Sequence, residues 1–281
     1  MKALLYNPVL IKELKLRFRS VKSSVGLLFY LLALSTFVFG MIFMATSFTG
    51  SGFFRPEESY YMFIVLTYIQ LGLVLFITPG LTAGTISSER EKQTLTILLT
   101  TAQKSWQIIF GKLASSLSFL VLMLISGLPI YSLVFLFGGV SPLQLVQIFL
   151  FFLLTVLAIG SLGVMFSTIT KKTIVSMIAT YGSMLFLTGV TAFFLVLSIQ
   201  ASYGLGMGTP SPSPIGHFWA SINPGIMAFS LVSPDGMFFL NEMTQIDFPV
   251  WVIYISFYLL ITILALFISI KKLRVNMSKM R

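Results

Sequence analysis

Charge is missing from five long stretches of this chain, and those gaps constrain what it can fold into. They run from Ser23 to Phe54, Ser59 to Ser88, Leu113 to Thr170, Thr173 to Pro234 and Phe248 to Ile270. A helix needs ~20 apolar residues to cross ~30 Å of hydrocarbon, so every gap can hold at least one crossing. Composition agrees. Of the 281 residues, 9% are charged and 57% hydrophobic, and the mean hydropathy is +0.97, against about 25% charged in an ordinary soluble domain. A water-soluble fold, a disordered chain and a collagen or solenoid repeat are excluded. The absence of Cys removes disulfides, thiolate metal sites and cysteine nucleophiles. The net charge of +10 is divided among clusters between apolar runs rather than gathered on one soluble face, which argues against nucleic acid as a partner.

Turn signals divide the gaps into six spans, near residues 24–46, 60–84, 107–137, 143–168, 173–199 and 249–270. The third gap breaks at Gly138-Gly139-Val140-Ser141-Pro142. The stretch from Tyr203 to Pro214 is too rich in Gly and Pro to keep a backbone ladder in lipid. Ile215 to Ser233 is apolar enough to suggest a seventh span, but it carries His217 and Asn223-Pro224. Parity decides against it. With six spans, all 18 Lys and Arg except Arg55 fall on one side, while Glu57, Glu58, Asp235, Glu242 and Asp247 fall on the other. The basic side is then cytoplasmic. A seventh span would place the basic C-terminal tail outside.

The reading is an all-α, polytopic plasma-membrane protein with both termini cytoplasmic and one membrane domain over 1–281. Residues 200–248 form an external lid of one or two short interfacial helices. Tyr60, Tyr61, Trp106, Trp251 and Tyr254 sit near span ends, as interfacial aromatics do. The basic segment before the first apolar run, itself long enough to span, argues against a cleavable signal peptide.

Two segments outside the spans have amphipathic character. The first is a helix over 7–22, with Asn7 as N-cap and Pro8 at the first position. Leu10, Leu14, Phe18 and Val21 fall on one face, and Lys12, Lys15, Arg19 and Lys22 form a basic stripe suited to anionic membrane lipids. The second is a helix over 86–101. Ser88 and Glu91 have capping-box spacing, Leu95, Leu98 and Leu99 form an apolar edge, and Glu89, Arg90 and Lys92 stay in water. Lys112, at the inner end of the third span, is expected to snorkel to the surface.

This layout resembles the ABC-2 type permeases of bacterial ABC exporters. The most specific match lies in Ser88 to Leu113, with Glu89 and Glu91, Thr94-Leu95, Leu98-Leu99-Thr100 and a later Gly111-Lys112. Ala102 stands where that family often has Pro, and Thr96 where it often has Glu. The resemblance implies an N-terminal elbow helix, a coupling helix over 86–101 and an extracellular cap over 200–248. It also implies two separate ATP-binding subunits, which hold ATP and Mg, and a second permease subunit forming a homo- or heterodimer. The contacts to the ATPase would be Glu89, Arg90, Glu91, Lys92, Thr94, Leu95, Leu98 and Leu99. ATP-driven closure would press on this helix and tilt spans one, two and five.

The residues support that division of labour. A phosphate-cradling loop has the pattern G-x-x-x-x-G-K-[S/T], but before Gly111-Lys112 position 106 is Trp, and position 113 is Leu. No bound cofactor is expected on this chain. Catalysis is disfavoured too: His217 is the single histidine, and Asp235 and Asp247 lie in the outer loop, short of a metal or protease site. No ionisable group lies deep in a span, which speaks against a proton-coupled carrier. Thr67, Gln70, Thr180 and Tyr181 could line a substrate path at a dimer seam, or serve interhelical packing together with Ala179/Ser183 and Gly163/Ser167. Uncharged spans suit an amphiphilic or hydrophobic substrate moved outward. The other readings are a structural or sensory subunit that binds an ATPase but moves nothing, and an ion-coupled secondary carrier.

Overall fold

A backbone in hydrocarbon must satisfy its own polar groups, and an apolar sequence does so as helix. The computed structural model describes residues 8–49, 56–95, 103–136, 140–203, 211–233 and 235–278, and every regular element among them is helical. In chain order these are α1 (Pro8–Phe18), α2 (Val21–Thr49), α3 (Pro56–Thr82), α4 (Ser87–Glu91), α5 (Ser105–Leu136), α6 (Pro142–Ile169), α7 (Thr173–Leu185) and α8 (Thr191–Tyr203). Then come α9 (Pro214–Ile222), α10 (Pro224–Val232), α11 (Gly236–Thr244) and α12 (Val250–Ser278). A π-helical turn, Phe186–Val190, joins α7 to α8 into one crossing. Six helices are long and apolar enough to cross a membrane: α2, α3, α5, α6, α7–α8 and α12. The chain is a multi-pass membrane protein. Ser141 caps α6, its hydroxyl accepting from the Gln144 amide with Pro142 behind it.

Helices α3, α5 and α6 make the centre of the bundle, and α12 packs along α6. Small residues set the closest approach. A Cβ added at Gly163 would lie 2.1 Å from Thr82 Oγ1, and one at Gly160 would lie 3.1 Å from Leu117, so the end of α3 lies directly on α6. Elsewhere hydroxyls tie the crossings together. Tyr30 donates to Gln70 Oε1 (2.7 Å), and Tyr254 pairs with Thr155 (2.8 Å).

Two expectations change here. Helix α1 ends at Phe18, and α2 begins at Val21, so the N-terminal helix does not run on to Lys22. Asn7 lies outside the described residues. Lys12, Lys15 and Arg19 are exposed as expected. The face turned to α5, however, carries Glu13, Arg17 and Phe18, which meet Lys112, Ser116 and Phe119, while Val21 is 76% exposed.

The second change concerns the segment between the fifth and sixth crossings. It holds three short helices, and the turn joining α9 to α10 inserts between the crossings instead of lying over them. Asn223 Nδ2 donates to the Thr188 carbonyl (2.6 Å) and to Thr191 Oγ1 (2.8 Å), in the middle of the fifth crossing. Tyr258 donates to the Ile222 carbonyl (3.1 Å), and Tyr68 to that of Gly225 (3.1 Å). Irregular backbone survives at such depth only where protein groups satisfy it. Asn223 does so twice over, since its Oδ1 also accepts from the Gly225 and Ile226 amides and caps α10.

Candidate functional site

The charged block between α3 and α5 folds inward, and its charges are mostly spent on the chain itself. Helix α4 has five residues, its N-cap position is Ile86, and no side chain of its own caps it. The cap comes from α6, where Ser167 Oγ accepts from the Ile86 and Ser87 amides (both 2.9 Å). Ser88 instead donates to the Gly84 carbonyl. The capping box is therefore not formed. Glu91 caps another helix, accepting from the Thr173 amide and hydroxyl (both 2.8 Å) at the start of α7. Arg90 donates to the carbonyls of Thr168 (2.9 Å) and Thr170, where the end of α6 leaves acceptors free.

Glu89 points to α5. Its Oε1 pairs with Lys112 Nζ at 2.7 Å, and Glu13 of α1 approaches the same ammonium at 2.7 Å. The Lys112 side chain is 3% exposed. It does not snorkel, because two carboxylates meet it inside. Arg17 Nη2 donates to Ser116 Oγ one turn further along α5 (3.2 Å). Burial draws the Arg17 pKa down, and the Glu13 charge opposes that shift. A groove of about 530 Å³ runs over this node between α1 and the 80–92 segment.

The expected helix over 86–101 is also interrupted. Gln93 adopts φ 59°, a left-handed conformation that stops a right-handed helix, and Thr94 folds back so that its amide reaches the Glu89 carbonyl (2.9 Å). Leu95 is 3% exposed and packs with Ile86, Ile108, Leu113, Val164 and Leu273. It belongs to the interior and not to a contact surface. Glu91, Lys92 and Thr94 are exposed, and Glu89 and Arg90 are half-buried. Leu98 and Leu99 lie outside the described residues.

The four residues considered for a substrate path separate. Thr67, Gln70 and Thr180 are buried within the chain at 0%, 1% and 0% exposure, and Gln70 Oε1 accepts from Tyr30. Tyr181 is partly exposed and donates to the Phe76 carbonyl (2.9 Å), bridging α7 to α3. No group of three or more metal-ligating side chains occurs among the described residues. His217 is buried, with Nδ1 3.1 Å from Thr244 Oγ1. Burial lowers its pKa, and the Phe248 backbone pulls weakly the other way. It ties α9 to α11.

The site is thus a node in which one short helix joins the ends of α5, α6 and α7 and, through Lys112, α1. Sequence reasoning missed Glu13, Arg17, Ser167 and Thr173 as its partners. No local spacing signalled them, and Lys112, at the edge of an apolar run, read as a side chain that snorkels to the surface. In comparison with known proteins, the sequence model described as ABC-2 family transporter protein matches residues 71–270. No curated protein matches the chain.

Proposed function

The chain belongs to the ABC-2 transporter family, and on that premise we propose that this permease is the membrane half of an ATP-driven exporter. Separate ATP-binding subunits hold ATP and Mg, and two permease subunits pair to form the path. The basic end of the bundle, carrying α1 and α4, faces the cytoplasm. Helix α4 is the lever, and α1 is the elbow helix. The cargo is amphiphilic or hydrophobic, in keeping with crossings that carry no charge at depth.

One observation supports the lever above the others: α4 is bonded to three crossings and to α1 through Ser167, Arg90, Glu91 and the Glu89–Lys112–Glu13 triad. A push on a free loop would be lost in loop motion. A push on α4 moves the ends of α5, α6 and α7 together. The surface left for the motor is the exposed turn Glu91, Lys92 and Thr94, with Leu98 and Leu99 following it in the chain. Glu89 and Arg90 hold the lever in place and do not form its contact face.

Coexpression with the cognate ATP-binding subunit tests this. K92E combined with T94R is expected to cut copurification of the ATPase at least tenfold while the permease stays monodisperse. Unchanged copurification and unchanged ATP hydrolysis in the purified complex would overturn the assignment.

A further inference from the structure

A cleft of about 370 Å³ opens between α6, α10 and α12, on a face of the bundle that α4 and its node do not touch. Its back wall is Phe151, Met227 and Tyr254, which are 5%, 4% and 1% exposed. Its rims are Leu150 on α6 and Trp251 on α12, 57% and 50% exposed. From Gln147 to Leu154 it follows α6 for about two turns, about 10 Å. Gln147, an exposed polar side chain in the lining, stands at the end nearer the start of α6.

We infer that this cleft binds one acyl chain, with the polar head held at the Gln147 and Trp251 end. Three features point to that occupant. The lining contains no charged side chain. Its back-wall hydroxyl, on Tyr254, is already paired with Thr155, so water there would lack the two to four partners it needs. And the cleft lies along α6 and α12, two helices apolar enough to cross the bilayer, so an extended chain enters parallel to them. The chain touches Met227 and Leu231 of α10, next to the Leu231 and Val232 carbonyls that Gln144 holds (3.0 and 2.7 Å). A bound chain therefore braces α10 against α6. The occupant is a bilayer phospholipid, because the cleft runs along two helices that cross the bilayer. The inference holds whether or not an ATPase partner exists.

Native mass spectrometry of the intact protein, released from phosphatidylethanolamine nanodiscs into mild detergent, tests it. The expected result is one retained phospholipid per chain, with occupancy falling at least tenfold in L154W, which fills the cleft, and in L150W, which overhangs its mouth. I263W, on the outer face of α12, should leave occupancy unchanged, and circular dichroism checks that all three variants fold. Added lysophosphatidylcholine should not displace the retained phospholipid; ready exchange would mean a site for free amphiphiles and would overturn the assignment. Equal lipid retention in all variants would overturn it. So would disulfide formation between W251C chains, because a second copy of the permease would then fill the cleft.

Discussion

Lys112 has one ammonium and two carboxylate partners, Glu13 and Glu89, at 2.7 Å each. Removing one member of such a group leaves the others without compensation, at a cost of 3–5 kcal/mol when fully buried. Here the carboxylates keep 23% and 28% of their side-chain exposure, so water offsets part of that loss. K112M is expected to destabilise the solubilised protein by about 2–3 kcal/mol, read as a lower thermal midpoint. The triple variant K112M/E13Q/E89Q should recover more than half of it, because no charge is then stranded. A triple variant as unstable as K112M would mean that the lysine acts by packing and not by charge. The sequence made Lys112 visible as a charge at the border of an apolar run. It did not reveal the triad, since Glu13 and Glu89 lie 99 and 23 positions away and nothing in local spacing records such contacts.

At the level of elements, the crossings were legible and their joints were not. Twenty apolar residues must become a helix in lipid whatever their order, which is why five of the six spans appear within about three residues of their expected limits, while the second runs on to Glu91. Helix α4 shows the opposite case. Ser88 and Glu91 have the local spacing of a capping box, yet Ser167 supplies the cap and Glu91 serves α7. Tertiary partners displaced a motif worth about 1 kcal/mol. The π-turn at Phe186–Val190 carries no Pro to announce it, and its logic emerges only with Asn223 in place. Within that turn the Thr188 carbonyl accepts from the side-chain amide of Asn223. N223A should remove a partner from this part-buried carbonyl, from Thr191 Oγ1 and from two α10 amides, and lower stability by about 2–4 kcal/mol. T191V, which removes one of the bonds, should cost about 1 kcal/mol. Thermal unfolding of both variants in the same detergent gives the ranking. An N223A protein as stable as wild type would mean that the inserted turn is held by apolar packing alone.

Across the whole molecule, charge does what no single contact can do, which is to orient it. Helix α4, Lys104, Lys171, Lys172, Lys271 and Lys272 lie toward one end of the crossings, and Asp235, Glu242 and Asp247 lie in the connection at the other. The motor proposed for this permease works on cytoplasmic ATP, so the lever reading survives only if the basic end is inside. The positive-inside bias favours that sense, and the α9–α10 insertion leaves the parity of the crossings unchanged, because it enters and leaves from the same end and adds no crossing. Without native cysteines, single-cysteine variants report sidedness with no background. D247C is expected to react with a membrane-impermeant maleimide in intact cells, whereas K104C and K172C should react only after the membrane is opened. The reverse pattern would put α4 outside, beyond the reach of any ATP-binding subunit. The bonds that join α4 to three crossings would then be a structural clamp with nothing to drive it.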